Sequence, residues 1–196
     1  MTQGARVTGC LLAVLVAAAS IGCQLPRPRT TAVRALEPEL VTPPPTSGTS
    51  AEAIPIRLLQ TESRGHIARR LIRQRPEGEL TEDPVWRWAN SPHGYLDTAL
   101  RMALSSTPGV RLVDAAAATE LSVTLLAWHL AGSETQPVLV GTVEVIVVDR
   151  DRVVRTHVNT DREPISTDLP RTLAAASGRL LQRLAAASVA FATTAR

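Results

Sequence analysis

The sequence predicts an α/β domain: a mixed, mostly antiparallel sheet of about five strands with two main helices packed on it. Three observations lead there. An apolar run from Val138 to Val148 is followed by a charged turn and another strand-like segment. Two stretches, after Pro92 and after Pro170, repeat apolar residues at helical spacing. Strand-like runs occupy most of the chain between Ile54 and the second helix, and no internal repeat is visible.

Ile54-Pro55-Ile56-Arg57-Leu58-Leu59 reads as the first strand, with proline near its start, where a missing donor is tolerated. Ile67 to Arg73 and Val85 to Trp88 are weaker strand candidates around the turn Glu77-Gly78-Glu79. Ser91-Pro92 supplies an N-cap and a preset first turn, and Leu96, Ala99, Leu100, Ala103 and Leu104 share one helical face. The expected helix runs from Pro92 to about Ser105 and stops at Thr107-Pro108-Gly109.

Val110 to Val113 is a short strand. Leu121 to Leu130 is a longer one with Leu121, Val123, Leu125 and Ala127 on one side. Val138 to Val148 is largely apolar on both faces, which suggests a middle strand covered on two sides. The turn Asp149-Arg150-Asp151-Arg152 leads into Val153 to Val158 as its hairpin partner. A last helix starts near Thr167-Asp168, with Pro170 in its first turn. Its stripe is Leu173, Ser177, Leu180, Leu181, Leu184, Ser188 and Phe191.

With 196 residues, 44% hydrophobic and 20% charged, the chain suits one domain with non-globular additions. Residues 1–22 read as a lipoprotein signal peptide: Arg6 in a charged n-region, then an apolar run from Leu11 to Gly22. That run is too short for a bilayer crossing, which needs about 20 residues. Ser20-Ile21-Gly22-Cys23 resembles the lipobox of bacterial lipoproteins, with a small residue before the cysteine that receives the lipid; Ser20 stands where the pattern usually has leucine. The match at Val7-Thr8-Gly9-Cys10 has no apolar segment upstream.

Cleavage before Cys23 would leave one cysteine and no internal disulfide, so lipidation gives Cys23 a role. The alternative is an ordinary signal peptide with a chance cysteine. Several acyl chains, each methylene worth about 0.8 kcal/mol, hold a protein on a membrane durably. Gln24 follows, where lipoproteins retained at the inner membrane typically carry Asp, so the sorting rule points to the outer membrane, with the domain facing the periplasm. Residues 23–53 contain Pro26, Pro28, Pro38 and Pro43-Pro44-Pro45 before Thr46-Ser47-Gly48-Thr49-Ser50 and read as a stalk. An amphipathic patch from Val33 to Leu40 could dock on the domain, though Pro38 argues against a helix there. Residues 54–196 are the domain.

The composition argues against several functions. All 21 basic residues are arginines scattered among 18 acids, with no basic stripe for nucleic acid. His66, His93, His129 and His157 lie far apart, without metal-ligand spacing, so no metal is expected. No Gly-rich phosphate loop, lysine or Gly-x-Ser-x-Gly elbow occurs, which points to a protein that is not an enzyme and needs no cofactor. Asp149 and Asp151 lack the further ligands of a calcium loop and read as solvated turn residues. Trp86 and Trp88 would share a strand face, in the core or as an aromatic contact.

The segment Trp86-Arg87-Trp88-Ala89-Asn90-Ser91-Pro92, leading into Tyr95-Leu96-Asp97-Thr98-Ala99-Leu100, resembles the ABC-type transport auxiliary lipoproteins. That group includes the lipoprotein subunit of the paraquat-inducible Pqi system. The similarity covers roughly Ile54 to Phe191. It departs at Gly65-His66-Ile67-Ala68-Arg69-Arg70, where many members have a Pro-Tyr-Leu-Asp-like segment.

The resemblance implies a small α/β domain related to the N-terminal domain of TolB. It also implies partners: an ABC permease and ATPase, and a substrate-binding protein of the mammalian-cell-entry (MCE) type that moves lipid through the envelope. Self-association stays open. The rival is a structural or assembly lipoprotein of the outer membrane or cell wall unrelated to ABC transport.

Overall fold

The protein is described from a computed structural model covering residues 32–44, 53–149, 152–166 and 170–194. Cys10, Cys23 and the rest of the proposed signal and lipobox lie outside the described residues, as do Arg150, Asp151, Thr167 and Asp168. The compact unit begins at Val33, ahead of the boundary expected at Ile54.

The chain order is β1 (Arg34–Leu36), β2 (Ile54–Leu58), β3 (Glu62–Ser63), β4 (Arg70–Gln74), β5 (Leu80–Trp88), α1 (Pro92–Ser106), β6 (Val110–Leu112), β7 (Thr119–Gly132), β8 (Pro137–Asp149), β9 (Arg152–Pro164) and α2 (Arg171–Thr193). The sheet therefore has nine strands, where about five were expected. The additional strands include β1 and β3, which have three and two residues, too short to show a period-two pattern.

One long strand organises the sheet. β7 pairs antiparallel with β8 along one edge, from Glu120↔Val148 to Gly132↔Pro137. Along its other edge β2, β3 and β4 follow one another in parallel: Leu58 lies beside Leu121, Glu62 beside Thr124 and Arg73 beside Leu130. β8 pairs antiparallel with β9, so the long pairings are antiparallel and the short strands join mostly in parallel. The β7–β8 hairpin closes at Gly132, whose φ of 85° a side chain rarely adopts and whose Cβ would lie 2.4 Å from Gln136 O.

Along β7 the alternation holds at Leu121, Val123 and Leu125, all buried. A register irregularity between Leu125 and Ala127 then changes the phase. Trp128 and Leu130 are buried instead, and Ala127, expected on the same side as Leu121, Val123 and Leu125, is not. On β8, Leu139, Val143, Val145 and Val147 are buried, whereas on the opposite face Val140 is buried and Val138, Thr142, Ile146 and Val148 are only half-covered. β8 is central as expected, but the helices cover one face of it. β9 extends to Pro164, six residues beyond the expected end at Val158.

The helices meet each other and the same core. Leu96, Leu100 and Leu104 of α1 and Leu180, Leu181 and Leu184 of α2 are all fully buried in one cluster with the sheet. Burying side chains of this size contributes about 1.5–3 kcal/mol each. Ser177 and Ser188, polar members of the expected stripe, are buried because their hydroxyls donate to Leu173 O and Leu184 O one turn back. No helix among the described residues is long and apolar enough to cross a membrane.

Candidate functional site

The residues behind the family resemblance form the junction between β5 and α1. β1 lies beside the end of β5 in parallel, with Arg34 next to Trp86 and Leu36 next to Trp88. The Arg34 guanidinium sits 5.6 Å from the centre of the Trp86 ring, a cation–π contact. Trp86 is half-buried and Trp88 fully buried, so the two tryptophans divide between rim and core.

The backbone here is tied from three sides. Ala89 N donates to Leu36 O at 2.7 Å and Trp88 N to Arg69 O at 2.6 Å, while the Arg69 guanidinium donates to Ala89 O. Asn90 N donates to the Tyr95 hydroxyl at 2.9 Å, and Ser91 N to Asn90 Oδ1 at 2.8 Å. Burial pushes the Tyr95 phenol above its ordinary value; the Asn90 hydrogen bond works against this and Glu37 adds to it.

Ser91 occupies the N-cap position, but its hydroxyl makes no cap bond to the helix backbone. It lies 3.2 Å from His93 Nε2, while Ser63 Oγ lies 3.0 Å from His93 Nδ1. Both ring nitrogens are therefore engaged by hydroxyls, a different arrangement from a histidine set between a nucleophile and a carboxylate. Asp97, one turn along α1, accepts from Thr61 Oγ1 at 3.1 Å and Arg101 Nε at 2.7 Å.

The strap from Val33 to Pro44 continues from β1 across α2. Glu39 N donates to Ala174 O at 3.1 Å and Gln182 Nε2 to Val41 O at 2.6 Å; Leu36 and Pro38 are buried. This close crossing requires glycine at 178, where a Cβ would lie 1.8 Å from Glu39 O. Beside the end of the strap is an open groove of about 490 Å³ lined by Thr42, Pro43, Pro44, Met102 and Ser105. A pocket of about 540 Å³ with a mixed lining lies at the far end of β4 and β7, bounded by Arg73, Arg75, Leu130, Ser133 and Glu134.

The histidines do not assemble into a site, and among the described residues no group of three or more His, Cys, Asp or Glu could hold a metal. Burial, then the neighbouring His66 and Arg162, holds His129 below the usual histidine range. Asp149 ends β8 and is exposed.

A network unseen in the sequence joins α2 to β9. Arg183 Nε meets Asp161 Oδ2 at 2.7 Å, Arg183 Nη1 meets Glu163 Oε2 at 2.6 Å, and Arg179 Nε meets Glu163 Oε1 at 2.7 Å. Burial pushes both carboxyls up, but bonds from the arginines outweigh it and hold both below their ordinary values. The partners are separated by 16 to 22 residues, so no local spacing announces them.

These features define a mixed α/β domain with both helices on one sheet face and an N-terminal strap. No family model matches the chain, and no curated protein matches it by sequence. Its fold does match solved structures. Protein XCC0632 from Xanthomonas campestris, described by the family model DUF330, superposes with a TM-score of 0.67 at 15% identity, over 83% of this chain and 96% of that one. An uncharacterized protein superposes with a TM-score of 0.60 at 16% identity, over 85% and 99%. The hypothetical protein CT253 from Chlamydia trachomatis reaches 0.50 at 11% identity, over 71% and 95%. At these identities the likeness is one of fold.

Proposed function

We propose that this chain is a lipid-anchored, non-enzymatic auxiliary subunit of an ABC-type, MCE/Pqi-like lipid transport system of the cell envelope. Acyl chains on Cys23 hold it at the outer membrane, and its domain faces the periplasm and meets an ABC permease complex or an MCE-type binding protein. The observation that carries the reading is the β5–α1 junction. Trp86 to Leu100, the residues that resemble the auxiliary lipoproteins, fold as one hydrogen-bonded unit that also receives β1. The lipobox at Ser20 to Cys23 supports the anchor.

Affinity purification of the full chain from membranes is expected to recover a permease or an MCE-type protein; recovery of neither would reject the transport role. Mass spectrometry of the mature N-terminus tests the anchor separately. An acylated Cys23 is expected, and a Cys23→Ala variant retained on membranes like the wild type would refute it.

A further inference from the structure

Among the described residues β9 pairs with β8 alone and leaves its other edge unpaired. Arg183 Nη2 donates to Arg162 O from outside the β8–β9 ladder, so the backbone groups of Arg162 point away from β8. By alternation those of Thr160, Val158 and Thr156 do too. Among the described residues, no other segment bonds to the outer backbone groups of Thr156, Val158 or Thr160. These side chains are exposed, Val158 at 52%. Exposed edges are normally blunted by charged side chains, proline or a bulge, and Thr156, Val158 and Thr160, whose backbone groups point outward, carry none of these.

Along this edge the order of side chains is self-complementary, with Asp161 and Glu163 also held by Arg183 and Arg179 within the chain. Arg155, His157, Asn159, Asp161 and Glu163 alternate on the side facing α2, basic at one end and acidic at the other. We infer that β9 pairs antiparallel with β9 of a second copy of this chain, about a two-fold axis at Asn159. In that register Asp161 lies opposite the partner's His157, and the buried Glu163, already bonded to Arg179 and Arg183, lies opposite the partner's Arg155, each juxtaposition occurring twice. Val158 faces the partner's Thr160, a β-branched cross-strand pair. A slip of one residue sets outward backbone groups against inward ones. A slip of two residues puts Asn159 opposite either His157 or Asp161 and so removes one complementary contact.

Asn159 would face its own copy in a non-hydrogen-bonded position, where Cα atoms lie about 4.5 Å apart, within the span of a disulfide. The test is mild oxidation of the full mature chain in detergent, with wild type as the control for native cysteine. Asn159→Cys is expected to form a covalent dimer, with Val158→Cys and Thr160→Cys at least about tenfold slower. The unmodified protein should have twice the 20.9 kDa chain mass after correction for lipid and detergent, less the signal peptide. Val158→Lys should weaken the dimer about tenfold without changing the circular dichroism of the monomer. A single-chain mass at about 100 μM, or preferential cross-linking at position 158 or 160, would overturn the pairing.

Discussion

The indole rings of Trp88 and Trp128 meet with their centroids 5.9 Å apart and their planes tilted by 58°. Both are essentially sealed from solvent, and neither Nε1 has a hydrogen-bond partner in the structure. The pair joins the end of β5 to the middle of β7, so the junction carrying the family resemblance rests on the central strand through aromatic packing.

Trp128→Ala should therefore destabilise the domain by about 3–5 kcal/mol, the usual cost of emptying a large aromatic site. Trp128→Phe should cost distinctly less, because it keeps part of the ring volume and removes an unsatisfied donor. Urea unfolding of both variants checks the order. A Phe variant as unstable as the Ala variant would contradict this account of the pair.

Gly178→Ala places a methyl group where Glu39 O now lies, so the strap must lift from α2. Leu36 is the strap's one member among the buried residues of the core cluster, and the loss should be about 1–3 kcal/mol, mostly from two hydrogen bonds and its burial. Hydrogen exchange should show a faster Glu39 amide, with Val143 and Val145 still protected.

Tyr95→Phe removes the acceptor for Asn90 N beside a buried ring. Asn90 is exposed, so water can replace the hydroxyl, and the expected cost is about 0.5–1.5 kcal/mol. If the junction holds a partner surface in shape, the same variant should also lower recovery of partners in the affinity experiment. Thr98→Ala, on an exposed position of the same helix, should leave recovery unchanged.

Stability should fall on acidification. Burial raises the Asp83 carboxyl, but bonds from Trp86 N, Arg73 and Val85 N outweigh this and hold it below its ordinary value of 3.8. Asp161 and Glu163 are likewise held below 3.8 and 4.5. For groups lowered by folding, the stabilisation is complete above the unfolded values. It is lost as pH falls through the folded ones. Unfolding midpoints at pH 7, 5, 4 and 3 should be level down to about pH 5 and then decline, less steeply in Glu163→Gln.

The elements legible in the sequence were those with enough length to display a period. Leu96 to Leu104 fixed α1 to within a residue at its end, and the apolar run from Val138 marked the central strand. The bulge after Leu125 could not be read, because one extra residue reverses facing without altering composition. The strap was half-legible. Its amphipathic pattern suggested docking and Pro38 excluded a helix, but the parallel pairing with β5 and the Gly178 crossing depend on residues about 50 and 140 positions away. The arginine–carboxylate network on β9 was hidden for the same reason.

A load reaching the compact unit from its N-terminal side first meets β1, which holds β5 through three residue pairs, and then the rest of the strap. Its attachments beyond β1 include one backbone bond to Ala174 and one side-chain bond from Gln182, whereas β7 and β8 share a continuous ladder of about a dozen residue pairs. The strap should peel first, as elements of low local stability do. The twelve residues from Val33 to Pro44 can extend to about 40 Å, so peeling lengthens the connection and withdraws Leu36 while the core between the two helices and β7–β8 stays closed.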